Sequence, residues 1–205
     1  MQLEPNDTLE PLEPLENLER DARAALAAPL LEAAMRIIWG DLLDTEGMRG
    51  TPARVAKHWV ASTVGLHQDP ALPLRTTFPC AHDEIVIVKD IPFHSVCEHH
   101  LLPFSGVAHI GYIPQKSVVG LSKLPRCLDV IAARPQMQER ITREVADLIH
   151  TTLNAQGTIV VLEASHACMT CRGVLKGGSV TITSAVLGLF QTDIAARAEV
   201  FTLIR

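Results

Sequence analysis

Cys97-Glu98-His99-His100 is the stretch on which the reading of this chain turns, and it has a chemical counterpart in His166-Ala167-Cys168-Met169-Thr170-Cys171-Arg172. Thiolate and imidazole are the ligands that Zn²⁺ prefers, and a Cys-x-x-His pair brings two of them to one ion within a single turn. Such a pair needs a distant partner, which Cys168 and Cys171 can supply. Four ligands, Cys97, His100, Cys168 and Cys171, would close a structural site. Three ligands and an open position would make a catalytic one, because the ion then lowers the pKa of bound water to about 7.

Composition narrows the field. With 205 residues, 47% of them hydrophobic, the chain can bury the core of one domain and carry an appendage. A formal net charge of −5 leaves no basic footprint for nucleic acid. No apolar run approaches the roughly 20 residues of a membrane span, and the start lacks the basic-then-apolar order of a signal peptide. The expectation is a cytoplasmic protein with no nucleic-acid or membrane partner. Five cysteines, an odd number, suit a reducing compartment better than a disulfide framework. Cys80 and Cys127 stand alone and are expected to pack as small hydrophobes.

Three parts are expected along the chain: 1–20, 21–68 and 69–205. In the first, Leu-Glu-Pro recurs at Leu3, Leu9 and Leu12 among acidic and polar residues, the composition of a mobile arm. The second is helical, with a helix from about Ala22 to Leu43 that Pro29 breaks or restarts. Thr51-Pro52 reads as an N-cap followed by proline at the first helical position, opening a helix through Val60. Arg54 and Lys57, three apart, share a face of it.

The third part carries strand signals at 84–89 and 107–113, the latter closed by Pro114. Two helices follow, one from near Ser122 to before Pro135 and one from about Gln136 to Leu153 with Met137, Ile141, Val145, Leu148 and Ile149 on one stripe. Strand character returns at 158–162 and 180–186, where Val180 and Ile182 alternate with Thr181 and Thr183 as on a half-buried sheet. A short helix from about Ile194 ends the chain. This order predicts an α+β fold with an antiparallel sheet and a helix pair, preceded by the N-terminal helical region.

Within that order, Ser122 reads as an N-cap, with Lys123 and Arg126 flanking a helix N-terminus whose free amides favour phosphate. It is not a Walker loop, because Gly-x-x-x-x-Gly-Lys is missing. Gln138-Glu139 opens the next helix.

Five motifs occur in order: Cys-Glu-His-His at 97–100, Tyr-Ile-Pro at 112–114, Gly-Leu-Ser-Lys at 120–123, Arg-Pro-Gln-x-Gln-Glu-Arg at 134–140 and His-x-Cys-x-x-x-Arg-Gly at 166–173. Together they make the chain resemble the GTP cyclohydrolase I family from about Gly50 to Arg205. The resemblance implies the tunnelling fold, with two stacked pentameric rings forming a homodecamer whose active sites lie at subunit interfaces. It implies a zinc enzyme that converts GTP to 7,8-dihydroneopterin triphosphate and formate, the first step of tetrahydrofolate and pterin biosynthesis.

Residue by residue, the resemblance implies Cys97, His100 and Cys168 as the Zn²⁺ ligands, with Cys171 outside the set. His166 is implied as the group that protonates nitrogen 7 of guanine, and His99 as the acid–base residue against the ribose. Glu139 would pair with the N–H donors of the guanine edge, which adenine does not offer. Ser122 and Gln138 correspond to contacts near ribose and base. Lys123, Arg126 and Arg172 correspond to the triphosphate clamp, which Arg54 and Lys57 would extend. Glu98 is left as a residue lining the site.

Other readings fit fewer residues. A structural zinc module needs Cys171 as a ligand and makes His99, His166 and Glu139 incidental. A pyruvoyl-tetrahydropterin synthase type needs His-x-His, which none of the nine histidines forms. Nitrile reductase relatives do not explain Cys-x-x-His with a distant Cys. A catalytically altered or inactive paralogue is the remaining alternative.

Overall fold

A computed structural model describes residues 18–205, so all but the last three positions of the expected acidic arm lie outside the described residues. The chain divides into two units, one ending at Ser62 and one spanning Thr63–Arg205.

The first unit holds α1 (Arg20–Trp39) and α2 (Thr51–Ser62), linked by a short 3₁₀ turn at Gly40–Asp44. α1 runs through Pro29 without the expected break. Proline there removes one i→i−4 hydrogen bond, and both Pro29 and Ala25, whose carbonyl loses its donor, lie on the exposed side where water can serve instead. Gly40 ends the helix at φ 55°, a conformation that favours glycine. Thr51 is the first helical residue of α2, and its hydroxyl accepts from Arg54 Nη2 at 2.6 Å. Both tryptophans, Trp39 and Trp59, belong to this unit.

The second unit is built on a sheet. Its elements are β1 (Thr77–Pro79), β2 (Val86–Cys97), β3 (Pro103–Ile113), β4 (Ser117–Val119), α3 (Lys123–Ala132), β5 (Pro135–Gln136), α4 (Gln138–Thr152), β6 (Gly157–His166), α5 (Ala167–Thr170), β7 (Thr181–Gly188), α6 (Leu189–Thr192) and α7 (Ile194–Leu203). Five strands pair in the order β5-β2-β3-β6-β7, antiparallel except for the short parallel contact of β5 with β2, while β1 and β4 form a separate ribbon. The architecture is mixed α+β, as the order of elements predicted.

β2 is twice as long as its apolar run. The register shifts between Val88 and Ile91, and Asp90 sits there at φ 57° with its N–H donating to His109 Nδ1 at 3.2 Å. This bulge absorbs the Asp90-Ile91-Pro92 interruption. Pro92 is tolerated because β5 reaches only Val96 and Cys97, which leaves β2 an edge strand at that point.

Alternation sorts the sheet residues to two faces. Ile110, Tyr112, Val160 and Leu162 join Leu124, Leu128 and Ile131 of α3 and Ile141, Val145 and Ile149 of α4 in the main core. Ile159 and Val161 face the other way, against Phe190 and Val200. The α4 stripe is the predicted one, except that Met137 falls just outside the helix. The single tyrosine, Tyr112, is fully buried and its hydroxyl accepts from Val119 N–H at 3.1 Å, tying β4 to the core.

β7 reverses the expected alternation. Val180 and Ile182 are 58% and 62% exposed, while Thr181 and Thr183 face α4. The threonines go inward because partners await them: Thr183 Oγ1 meets Thr142 Oγ1 at 2.6 Å and receives Gln138 Nε2 at 3.1 Å. A buried hydroxyl with partners is no longer costly.

At Gly106 the two central strands come so close that a Cβ would stand 1.8 Å from the carbonyl oxygen of Glu163 and 2.6 Å from Ala164 Cα. Both obstacles are backbone, so neither can rotate away. Gly106→Ala is expected to destabilise the fold by about 2–3 kcal/mol, read as a fall in the thermal midpoint, whereas Gly177→Ala, where a Cβ meets nothing within 4 Å, leaves it unchanged.

Candidate active site and metal centre

β2 and β6 both run antiparallel to β3, so they end on the same side of the sheet. Cys97 closes β2 and His166 closes β6, with His166 opposite Phe104 at the start of β3. β5 brings Gln136 alongside Cys97, which delivers the start of α4, with Gln138 and Glu139, to the same end. These residues line a cavity of about 210 Å³ together with His99 and Cys168.

After Cys97 the backbone turns tightly. Cys97 O accepts from His100 N–H at 3.3 Å and Leu101 N–H at 2.8 Å, and Cys97 N–H donates to Leu102 O at 2.9 Å. Leu101 takes φ 53°, an uncommon conformation for a branched side chain that the turn enforces. The result places donor atoms of Cys97, His100 and Cys168 all within 4.8 Å of one another, the one such group of three or more among the described residues. Burial raises the Cys168 thiol above its ordinary pKa, and the neighbouring Cys97 raises it further. A cation bound beside the two sulfurs would reverse the preference of the Cys168 thiol and favour its thiolate. The soft N/S donor set fits Zn²⁺.

Cys171 stands apart from this group. It is exposed, and its thiol is directed to Ala167 O at 2.9 Å. Arg172 Nη1 lies 2.6 Å from His100 Nε2. A guanidinium only donates, so Nε2 accepts here, and Nδ1 is the nitrogen turned toward the donor group, 3.9 Å from Cys97 Sγ.

His166 is stacked on Phe104 with ring centroids 4.5 Å apart and planes inclined by 8°. Its Nε2 is 2.7 Å from Gln138 Oε1. Gln138 is 1% exposed, and its Nε2 donates to the carbonyls of Leu162 and Thr181, each at 3.0 Å. Carbonyls accept only, so the amide can turn just its oxygen toward His166, which places the imidazole proton on Nε2. Burial lowers the His166 pKa, opposed by the charge of Glu139.

The remaining predicted residues divide. Glu139 is exposed in the first turn of α4, and His99 is exposed on the turn, 3.9 Å through Nε2 from Glu98 Oε1. Ser122 caps α3 by position, yet its side chain makes no cap bond; Lys123 N–H donates to Gly120 O at 2.8 Å instead. Ser122, Lys123 and Arg126 are absent from the walls of the metal-side cavity. Arg126 lines another, of about 520 Å³, with His67, Asp69 and Asp129. Arg54 and Lys57 lie in the first unit, where Arg54 Nη2 also donates to Gly47 O at 3.0 Å.

One ionic contact escaped the sequence reading. Arg140 Nη1 and Nη2 hold the two oxygens of Glu98 at 2.5 and 3.1 Å, and the bond from Arg140 keeps the Glu98 carboxyl below the usual carboxylate range. Nothing in the spacing of residues 42 apart signals it.

Sheet end, three-donor group and flanking histidines define a mixed α+β protein with a candidate metal centre. The profile of GTP cyclohydrolase I matches residues 31–205. Among curated relatives, GTP cyclohydrolase 1 of Corynebacterium glutamicum is 55% identical over 168 residues, covering 81% of this chain and 86% of that protein. The Pelotomaculum thermopropionicum and Brevibacillus brevis proteins of the same name are 53% and 54% identical over 179 residues, covering 85% of this chain in each case and 95% and 96% of the relatives. A crystal structure of the apo archaeosine synthase QueF-Like aligns with 51% of this chain at a TM-score of 0.43 and 17% identity, covering 94% of that chain. The chain belongs to the GTP cyclohydrolase I family.

Thiol labelling separates the cysteines. Cys127 is fully buried, and burial pushes its pKa up to about 12, so the reactive thiolate is scarce until pH approaches that value. Alkylation of the native protein at pH 8 is expected to reach Cys171 within minutes and Cys127 only after denaturation, as mass mapping of the labelled peptides checks.

Proposed function

We propose that this chain hydrolyses GTP to 7,8-dihydroneopterin triphosphate and formate, with a Zn²⁺ ion held by Cys97, His100 and Cys168. The observation that carries the reading is the gathering of those three donors within 4.8 Å of one another, two of them, Cys97 and Cys168, in the wall of a cavity that His99, Glu139 and His166 also line. The ion, when bound, supplies Lewis acidity and lowers the pKa of water at its open position.

The chain's own groups do the rest. His166, its Nε2–H committed to Gln138, is left with Nδ1 as the nitrogen that gains and loses a proton. Burial disfavours its cation, so the protonated ring is a stronger acid than a free imidazolium, suited to protonating nitrogen 7 of guanine and making carbon 8 electrophilic. Phe104 holds the ring plane while this happens. Glu139, at the mouth of the cavity, accepts the two N–H groups of the guanine edge and so discriminates against adenine. His99, exposed beside it, serves the ribose ring opening and reclosure. Gln138 contributes its polar surface near the base while it orients His166.

Ser122, Lys123, Arg126 and Arg172, extended by Arg54 and Lys57, form the contacts to ribose and triphosphate. Ser122, Lys123 and Arg126 are not in the wall of the cavity that holds Glu139, and about 210 Å³ is below the roughly 300–1,000 Å³ of ordinary ligand pockets. Both facts support a site completed by a second copy, in a tunnelling-fold homodecamer. The exposed Ile182 on the edge strand β7, with Val180 just before it, suits assembly, which removes such edges. No described helix is long and apolar enough to cross a membrane, and a cytoplasmic location is proposed.

Incubating the reduced, zinc-loaded protein with GTP is expected to release formate and yield a fluorescent pterin after oxidation; formate alone would mean an enzyme that stops after hydrolysing the formamide, before the ribose rearrangement, and the absence of both products would overturn the proposal. Cys168→Ala is expected to lose both zinc and turnover while Cys171→Ala keeps both, with metal content measured by atomic emission; equal loss in the two variants would move Cys171 into the ligand set. Glu139→Ala is expected to lower kcat/KM for GTP by about 100-fold, with zinc content unchanged.

A further inference from the structure

The turn that carries two of the three donor residues is fastened to α4 through its second residue. Glu98 N–H donates to Gln136 O at 3.1 Å, and both carboxylate oxygens are held by the Arg140 guanidinium. Arg140 is itself steadied by Gln136 Oε1 at 3.4 Å, and Gln136 is 2% exposed with its Nε2 bound to Ile131 O and Glu144 Oε2, each at 3.3 Å. The chain of contacts runs from buried framework to the residue between Cys97 and His100.

From this we infer that Arg140 is a positioning residue for the metal-binding turn, its fork holding Glu98 so that Cys97 and His100 present their donor atoms together. The inference rests on the reading that Cys97, His100 and Cys168 hold a metal ion.

Two effects follow from the geometry. Without the fork, Glu98 is held by its main-chain bond alone, and the turn, with Leu101 already in an uncommon backbone conformation, is left with its main-chain contacts and the Arg172 contact to His100, so its donors are less firmly placed. Second, Glu98 is one residue from Cys97 and two from His100, and a loose carboxylate there is a competing oxygen donor. Held by Arg140, it stays off the ion and leaves the position open that a hydrolase needs. The same carboxylate lies 3.9 Å from His99 Nε2, so the fork also restrains that imidazole. Side chains are 29% exposed for Glu98 and 40% for Arg140, and ion pairs of this exposure add little to global stability. The contact is therefore better matched to local positioning than to holding the fold.

The test is zinc transfer from the purified holoprotein to a chromophoric chelator, with Co²⁺-substituted protein read by its visible absorption. Arg140→Gln and Glu98→Gln are each expected to weaken zinc retention about 10–100-fold, the range seen when groups that orient ligands are removed. The double variant is expected to lose no more than either single one, since the two residues act as one contact. Arg140→Lys, which keeps the charge and loses the two-nitrogen fork, is expected to fall between. Altered cobalt bands in the single variants would show that ligand geometry moved. Zinc retention equal to the parent in both single variants, or losses that simply add in the double one, would overturn the proposal and leave the metal site standing. A parent protein that carries no zinc, and gains none on reconstitution, would overturn the metal-site reading and this inference with it.

Discussion

The pairing of β2 and β6 on either side of β3 is the constraint on which the rest of the second unit depends. Because both neighbours are antiparallel to one strand, they are parallel to each other, and the segments that leave them emerge at one end. That single fact of topology brings Cys97 and His166 together from far apart in sequence. Gly106 allows the close strand approach within the sheet, and register does the remainder, since a slip of one residue would turn every side chain of a strand to the opposite face. The site is a property of how three strands are aligned rather than of any one loop.

Burial at that end sets the chemistry. The donor group sits beside a second imidazole, and burial disfavours the charged forms of both the Cys168 thiol and His166. The buried amide of Gln138 links the His166 imidazole to the sheet through two main-chain carbonyls. Framework and reactive residues are thus joined by polar contacts with no freedom to exchange donor for acceptor.

What could be read from sequence was what neighbouring residues encode among themselves. The α4 stripe of Ile141, Val145 and Ile149 repeats at the helix period, and Cys97 and His100 share a turn, so both were legible. Pro29 and the Asp90-Ile91-Pro92 interruption were misleading for a common reason: each costs one local hydrogen bond, and exposure or a bulge absorbs the loss. β7 misled for another. Thr181 and Thr183 look like an outer face until Gln138 and Thr142 are known to lie opposite, and those partners come from α4. Arg140 with Glu98 belongs to the same class of contact, set by the fold over 42 residues. The placement of Ser122, Lys123 and Arg126 away from the cavity was equally beyond reach, because a motif records order along the chain and not distance across it.

The distribution of aromatic residues between the two units has an optical consequence. Both tryptophans lie before Ser62, in positions 44% and 39% exposed, whereas the only tyrosine is sealed in the core of the second unit with its hydroxyl bound to Val119. Indole emission therefore reports on the helical unit alone, and the near-ultraviolet signal of the phenol reports on the sheet. The natural chain carries a separate chromophore for each of its parts, so melting of one unit can be followed independently of the other with no added label.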